Sequence, residues 1–69
     1  MPAVITTYTV EGMSCGHCVA AVTDEVAKLP GVQQVAVDLP TGAVTVTSDA
    51  PLDDDVVRAA VDEAGYQLA

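Results

Sequence analysis

Val35-Ala36-Val37-Asp38-Leu39-Pro40-Thr41-Gly42-Ala43-Val44-Thr45-Val46-Thr47 lies in the middle of the chain. Val35, Val37 and Leu39 alternate with Ala36 and Asp38, and Val44 and Val46 alternate with Thr45 and Thr47. A period of two in β-branched residues marks strands with one buried face. Pro40-Thr41-Gly42 supplies the turn chemistry between them, so the stretch reads as a β-hairpin.

The sequence on either side of this hairpin follows one plan. Toward the N-terminus, Pro30-Gly31 stops a helix whose apolar stripe is Val19, Val22, Val26 and Leu29, at steps of three and four. Before that helix, Val4, Thr6, Tyr8 and Val10 alternate with Ile5, Thr7 and Thr9, and Glu11 to Ser14 breaks the pattern. Toward the C-terminus, Ser48 to Pro51 reads as a loop and Asp53 as a helix N-cap. Asp54 and Asp55 fall in the first turn, where the helix dipole favours negative charge. Val57, Ala60, Val61 and Ala64 make the buried stripe, Gly65 is the stop, and Tyr66 to Leu68 form a last short strand. Strand, helix, strand, strand, helix, strand is the α+β, βαββαβ plan of the ferredoxin-like sandwich. It predicts a four-stranded antiparallel sheet with both helices on one face and a wet, threonine-bearing outer face.

The 69 residues, free of linkers and repeats, are expected to form a single domain over 1–69. So short a chain buries only about 60% of its unfolded surface. Residues are 51% hydrophobic but only 3% aromatic, so Val, Ala, Leu and Ile must fill the core. A body of this size has little room for ligand pockets of about 300–1,000 Å³, which weighs against most enzymes. The net charge is −8, with Lys28 and Arg58 the only basic residues. Nucleic acid and anionic membranes are therefore poor partners. No run approaches the roughly 18 apolar residues of a membrane span. Residues 1–10 lack the features of a signal peptide, so a cytoplasmic setting is expected, where thiols stay reduced.

Both cysteines belong to Gly12-Met13-Ser14-Cys15-Gly16-His17-Cys18, between the first strand and the first helix. Cys15 falls on the loop and Cys18 on the first helical turn. Free N–H groups and the helix dipole stabilise thiolate there. Thiolates ligate soft metals such as Cu(I) and, less exclusively, zinc. A structural zinc site needs four protein ligands. Two thiolates, with His17 placed between them, leave such a site incomplete, whereas Cu(I) accepts two in a near-linear arrangement. Thiol–disulfide exchange is the competing chemistry of Cys-x-x-Cys, but the chain is too short for a thioredoxin-like domain. A covalent haem site needs His directly after the second Cys, and Val19 stands there.

Gly-Met-x-Cys-x-x-Cys after a strand, then Gly31-Val32, Val37-Asp38 and Ala64-Gly65-Tyr66, resembles the heavy-metal-associated domain over nearly the whole chain. The chain is similar to small bacterial copper chaperones of the CopZ type. The resemblance implies a carrier, not an enzyme, that delivers Cu(I) to the metal-binding domain of a copper-transporting P-type ATPase. A copper-responsive repressor is a second recipient it brings in. Cys15 and Cys18 correspond to the family's metal thiolates, and Met13 to a methionine that packs under the loop without ligating. Tyr66 corresponds to a residue near the site in bacterial members, where eukaryotic ones usually have Lys. Ser14 stands where Thr is commoner and keeps the hydroxyl. Zinc and cadmium members often carry an acidic residue there, so Ser14 points toward copper.

His17 is read as an exposed loop residue that tunes thiolate basicity, against recruitment as a ligand in a dimer or multi-copper cluster. Tyr66 is read as a rim residue that shields the site, or one whose hydroxyl tunes release. Asp24, Glu25, Asp62 and Glu63 offer an acidic docking face for a basic partner. The metal-free chain is expected to be a monomer and the loaded one a copper-bridged homodimer sharing four cysteines. The rival functions are a regulatory domain from a P-type ATPase, a small thiol-disulfide oxidoreductase and a mercury-binding protein. The last is disfavoured by the missing export signal. Met1 and the ending Leu68-Ala69 read as an independent chain.

Overall fold

The computed structural model describes residues 3–69. The elements run β1 (Val4–Glu11), α1 (Gly16–Ala27), β2 (Val32–Asp38), β3 (Ala43–Ser48), α2 (Asp54–Glu63) and β4 (Gln67–Leu68). The sheet order is β2-β3-β1-β4, and every pairing is antiparallel. One cluster, Val10, Val44 and Val46 from strands with Val22, Val26, Val57, Ala60 and Val61 from helices, joins both helices to the same sheet face. The ferredoxin-like expectation is met.

The core is almost wholly valine. Valine loses χ1 freedom in a helix, so packing, not propensity, holds Val22 and Val26 in α1 and Val57 and Val61 in α2. The chain's one isoleucine, Ile5, lies outside, 68% exposed on the outer sheet face. Thr7 and Thr9 are exposed on that face too, while Thr6 turns inward.

Several boundaries differ from those predicted. β2 begins at Val32, not Val35, because a register shift between Val32 and Gln34 lets an irregular start still pair with β3. It ends at Asp38. Leu39 belongs to the turn, where the Gly42 N–H donates to Asp38 O at 2.8 Å. Glu11, expected to break β1, pairs with Gln67. In α1 the buried stripe is Cys18, Val22 and Val26. Val19 is half-buried, and Leu29 packs on the core from beyond the helix end.

The two helix starts are built differently. Asp53 caps α2, its Oδ1 accepting from the Asp55 N–H at 3.0 Å, and Asp54 and Asp55 sit in the first turn. The N-cap of α1 is Cys15, in extended geometry, with no side-chain cap and no acidic residue in the first turn. The exit of α2 is a Schellman motif. The Gly65 N–H donates to Asp62 O at 2.9 Å and the Tyr66 N–H to Val61 O at 3.1 Å. Gly65 has φ 93°, a conformation that side chains resist. That turn carries Tyr66 back toward the loop before α1.

Candidate metal centre

β1 ends at Glu11, and Gly12 turns the chain with φ 94°. A Cβ at Gly12 would lie 3.4 Å from Tyr66 Cδ1, so the loop and the aromatic ring are close neighbours. Met13 is half-buried and packs against the core cluster. Ser14 is exposed. Cys15 is exposed, and its carbonyl accepts from the N–H groups of Cys18 at 3.1 Å and Val19 at 3.3 Å, starting the helix. Cys18 is 7% exposed, on the inner side of the first turn. His17 is not a loop residue as expected. It is the second residue of α1, exposed, because Cys15 and not a later residue caps the helix.

The two sulfurs lie 3.2 Å apart and are free thiols. This is well beyond the roughly 2.05 Å of a disulfide. The Cys18 thiol is lowered from 9.0 to about 6. The largest cause is the Ser14 backbone N–H directed at the sulfur, followed by the Tyr66 hydroxyl and the Cys15 thiol, with burial opposing. The Tyr66 hydroxyl is raised reciprocally, mainly by that same hydrogen bond to Cys18, which its loss of a proton would break. The surroundings therefore bias Cys18 toward the thiolate form.

Sequence reasoning picked Ser14 for its hydroxyl. The structure uses its backbone amide, which no side-chain pattern announces. Gly12, which brings the loop against Tyr66, was legible only as part of a motif. Of the four acidic residues expected to share a face, Asp24, Glu25 and Glu63 line one shallow groove between the helices, and Asp62 does not. Lys28 sits in that groove and pairs with Glu25 at 3.0 Å. Among the described residues no group of three or more His, Cys, Asp or Glu side chains gathers in metal-ligating range. The dithiol thus stands as a two-donor site, soft in chemistry and open on its Cys15 side.

Fold and site together define a small ferredoxin-like domain that presents a surface dithiol at the start of its first helix. Residues 7–67 match the heavy-metal-associated domain, and the chain belongs to that family. It is 45% identical over 67 residues to the copper chaperone CopZ of Bacillus subtilis (strain 168), covering 91% of this chain and 93% of that one. Copper-transporting ATPase 2 of Rhizobium meliloti (strain 1021) is 38% identical over 63 residues, 91% of this chain but 8% of the ATPase. The solved structure of a CopZ metallochaperone superposes with a TM-score of 0.88 at 33% identity, over 96% of this chain and 100% of that one.

Proposed function

We propose that this domain binds Cu(I) through Cys15 and Cys18 in the cytoplasm and transfers it to the metal-binding domain of a copper-transporting P-type ATPase. The supporting observation is the two-thiol site itself: a thiolate-biased, mostly buried Cys18 beside an exposed Cys15, with no third His, Cys, Asp or Glu in ligating range among the described residues. Likeness to a copper chaperone over nearly its full length supports the same reading. With about 2.3 Å per metal–sulfur bond, as for zinc, a near-linear site sets the sulfurs about 4.6 Å apart. The present 3.2 Å must widen. Cys15, exposed on the loop, swings outward, and Cys18 stays packed beneath the Ser14 amide and Tyr66. A partner thiolate approaching from the open side then adds to the metal, and Cys15 leaves first. No electron changes hands, so copper stays Cu(I).

Met13 supports the loop from the core, Ser14 supplies its amide to Cys18, Tyr66 restrains the buried thiolate, and His17 stays outside the coordination. A repressor that takes copper by thiolates and a copper-bridged homodimer fit the same open site. Reduced protein is titrated anaerobically with Cu(I) against a competing chelator, beside a zinc titration and a Cys15→Ser, Cys18→Ser double variant. Cu(I) binding is expected to fall at least about 100-fold in the variant, with zinc far weaker than Cu(I) in the native protein. Equal zinc affinity, or copper retained by the variant, overturns the reading. Transfer to an isolated ATPase metal-binding domain, read by the copper content of each protein after separation, tests the second half.

A further inference from the structure

β1 is an interior strand by composition and an edge strand over half its length. Residues Val4 to Val10, Val-Ile-Thr-Thr-Tyr-Thr-Val, carry no charge and no proline. β3 pairs with Val4 through Thr9 on one side. On the other side β4 pairs only with Val10 and Glu11, and Ala69 adds one bond, its N–H donating to Thr9 O at 2.8 Å. Backbone groups of a strand point alternately to its two neighbours. The Val10 N–H goes to Gly42 O on the β3 side and Thr9 O receives from the β4 side. Ile5 and Thr7 therefore share the direction of Thr9, and their N–H and C=O groups meet no backbone partner among the described residues.

The opposite edge is protected in the ways that sheets usually protect edges. β2 carries Gln33, Gln34 and Asp38 and a register irregularity. The open part of β1 has none of these devices. Beside it lies a cleft lined by Thr7, Tyr8, Thr9, Asp54, Arg58 and the last two residues of the chain. The Tyr8 hydroxyl is buried there without a hydrogen-bond partner among the described residues. Its acidity is reduced chiefly by burial, then by the charge and close approach of the Asp54 carboxylate, with Asp53 contributing; that approach falls short of hydrogen-bond geometry. Arg58 also lines the cleft but is paired with Asp55 at 3.3 Å, which leaves Asp54 as the lining side-chain charge without an ion-pair partner among the described residues.

We propose that the open edge of β1, from Ile5 to Thr7, accepts an extended basic segment of a partner protein as an added strand in line with β4. Main-chain hydrogen bonds to Ile5 and Thr7 hold the segment. A lysine or arginine opposite Tyr8 faces inward, toward Asp54. Charge selects the occupant: a second copy carries the same net charge of −8 and is repelled as a whole, whereas a basic strand is attracted. The inference does not rest on the copper reading and is tested on metal-free, reduced protein.

The probe is a capped peptide of alternating lysine and valine, with a glutamate–valine peptide as control. The readout is NMR-detected amide exchange. The lysine peptide is expected to slow exchange at Ile5 and Thr7 about tenfold or more, and the glutamate peptide to leave it unchanged. Thr7→Pro removes an edge N–H while leaving the β3 ladder intact, as proline does on an edge, and is expected to abolish the protection at Ile5. Asp54→Lys, a surface change at the first turn of α2, is expected to reverse the peptide preference and serves if the proline variant fails to fold. Unchanged exchange at Ile5 and Thr7, equal protection by both peptides, or perturbation confined to the Cys15–Cys18 loop overturns the proposal. Protection that grows with protein concentration without peptide overturns it in favour of a second copy.

Discussion

At the scale of single residues, the site is governed by what surrounds Cys18. Its thiol loses a proton at about 6 rather than 9.0 because an amide N–H, a phenol and a second thiol all donate toward it. Thiolate ultraviolet absorbance is expected to titrate with a first midpoint near 6. Tyr66→Phe, which deletes one of those donors, is expected to move that midpoint upward, and an unmoved midpoint removes Tyr66 from the account. The same depression links to stability. The folded state binds the proton less readily than the unfolded one, so the contribution is complete above the unfolded value of 9.0 and disappears as pH falls through about 6. Wild type is expected to lose urea resistance relative to Cys18→Ser across that window. Equal losses would assign the titration elsewhere. The two cysteines were plain in the sequence, and so was their position at a helix start. The Ser14 amide was not, because a backbone donor has the same covalent form at every non-proline residue and only the turn aims it.

At the scale of elements, the two helix starts divide the labour. α2 has a side-chain cap in Asp53, which takes the Asp55 N–H, whereas α1 has no such cap and carries the dithiol at its start. Asp53→Ala is expected to cost about 1 kcal/mol, read as a lower urea midpoint, with Cu(I) affinity unchanged. A parallel loss of copper binding would show that α2 and the site are coupled. Gly65→Ala forces a side chain to φ 93°, at a cost of about 1–2 kcal/mol. It also disturbs the turn that delivers Tyr66, so it is expected to raise the thiolate midpoint as Tyr66→Phe does. Periodicity located all six elements, because alternation and three-four spacing follow directly from strand and helix geometry. It missed the start of β2, where Gln33 and Gln34 interrupt the alternation. It also misjudged Glu11, a charged residue that tolerates a strand because its side chain stays in solvent while its backbone pairs.

At the scale of the whole molecule, the radius of gyration of 10.9 Å agrees with about 11 Å for a compact chain of this length. Stability for such a chain is about 3–10 kcal/mol, resting on a small valine cluster. Val46, fully buried, is expected to cost about 2 kcal/mol when changed to Ala, a large share of the total in a thermal or urea melt. Net charge −8 adds self-repulsion. Added sodium chloride is therefore expected to raise the melting temperature, and a fall on moving from low to physiological salt would contradict that account.

The sequence by itself determined the order of the elements, the faces they bury, the placement of Cys15 and Cys18 at a helix start, and membership of a metal-binding family. These are local properties, written in spacing and in residue types that serve one chemistry. Only the tertiary structure decided that Tyr66 meets Cys18, that Gly12 lies against the Tyr66 ring, and that β4 covers only the end of β1. Each depends on how far one segment runs before it meets a distant one. That distance is set by helix exit geometry, strand register and packing around the valine core, which a repeating pattern in the chain does not encode.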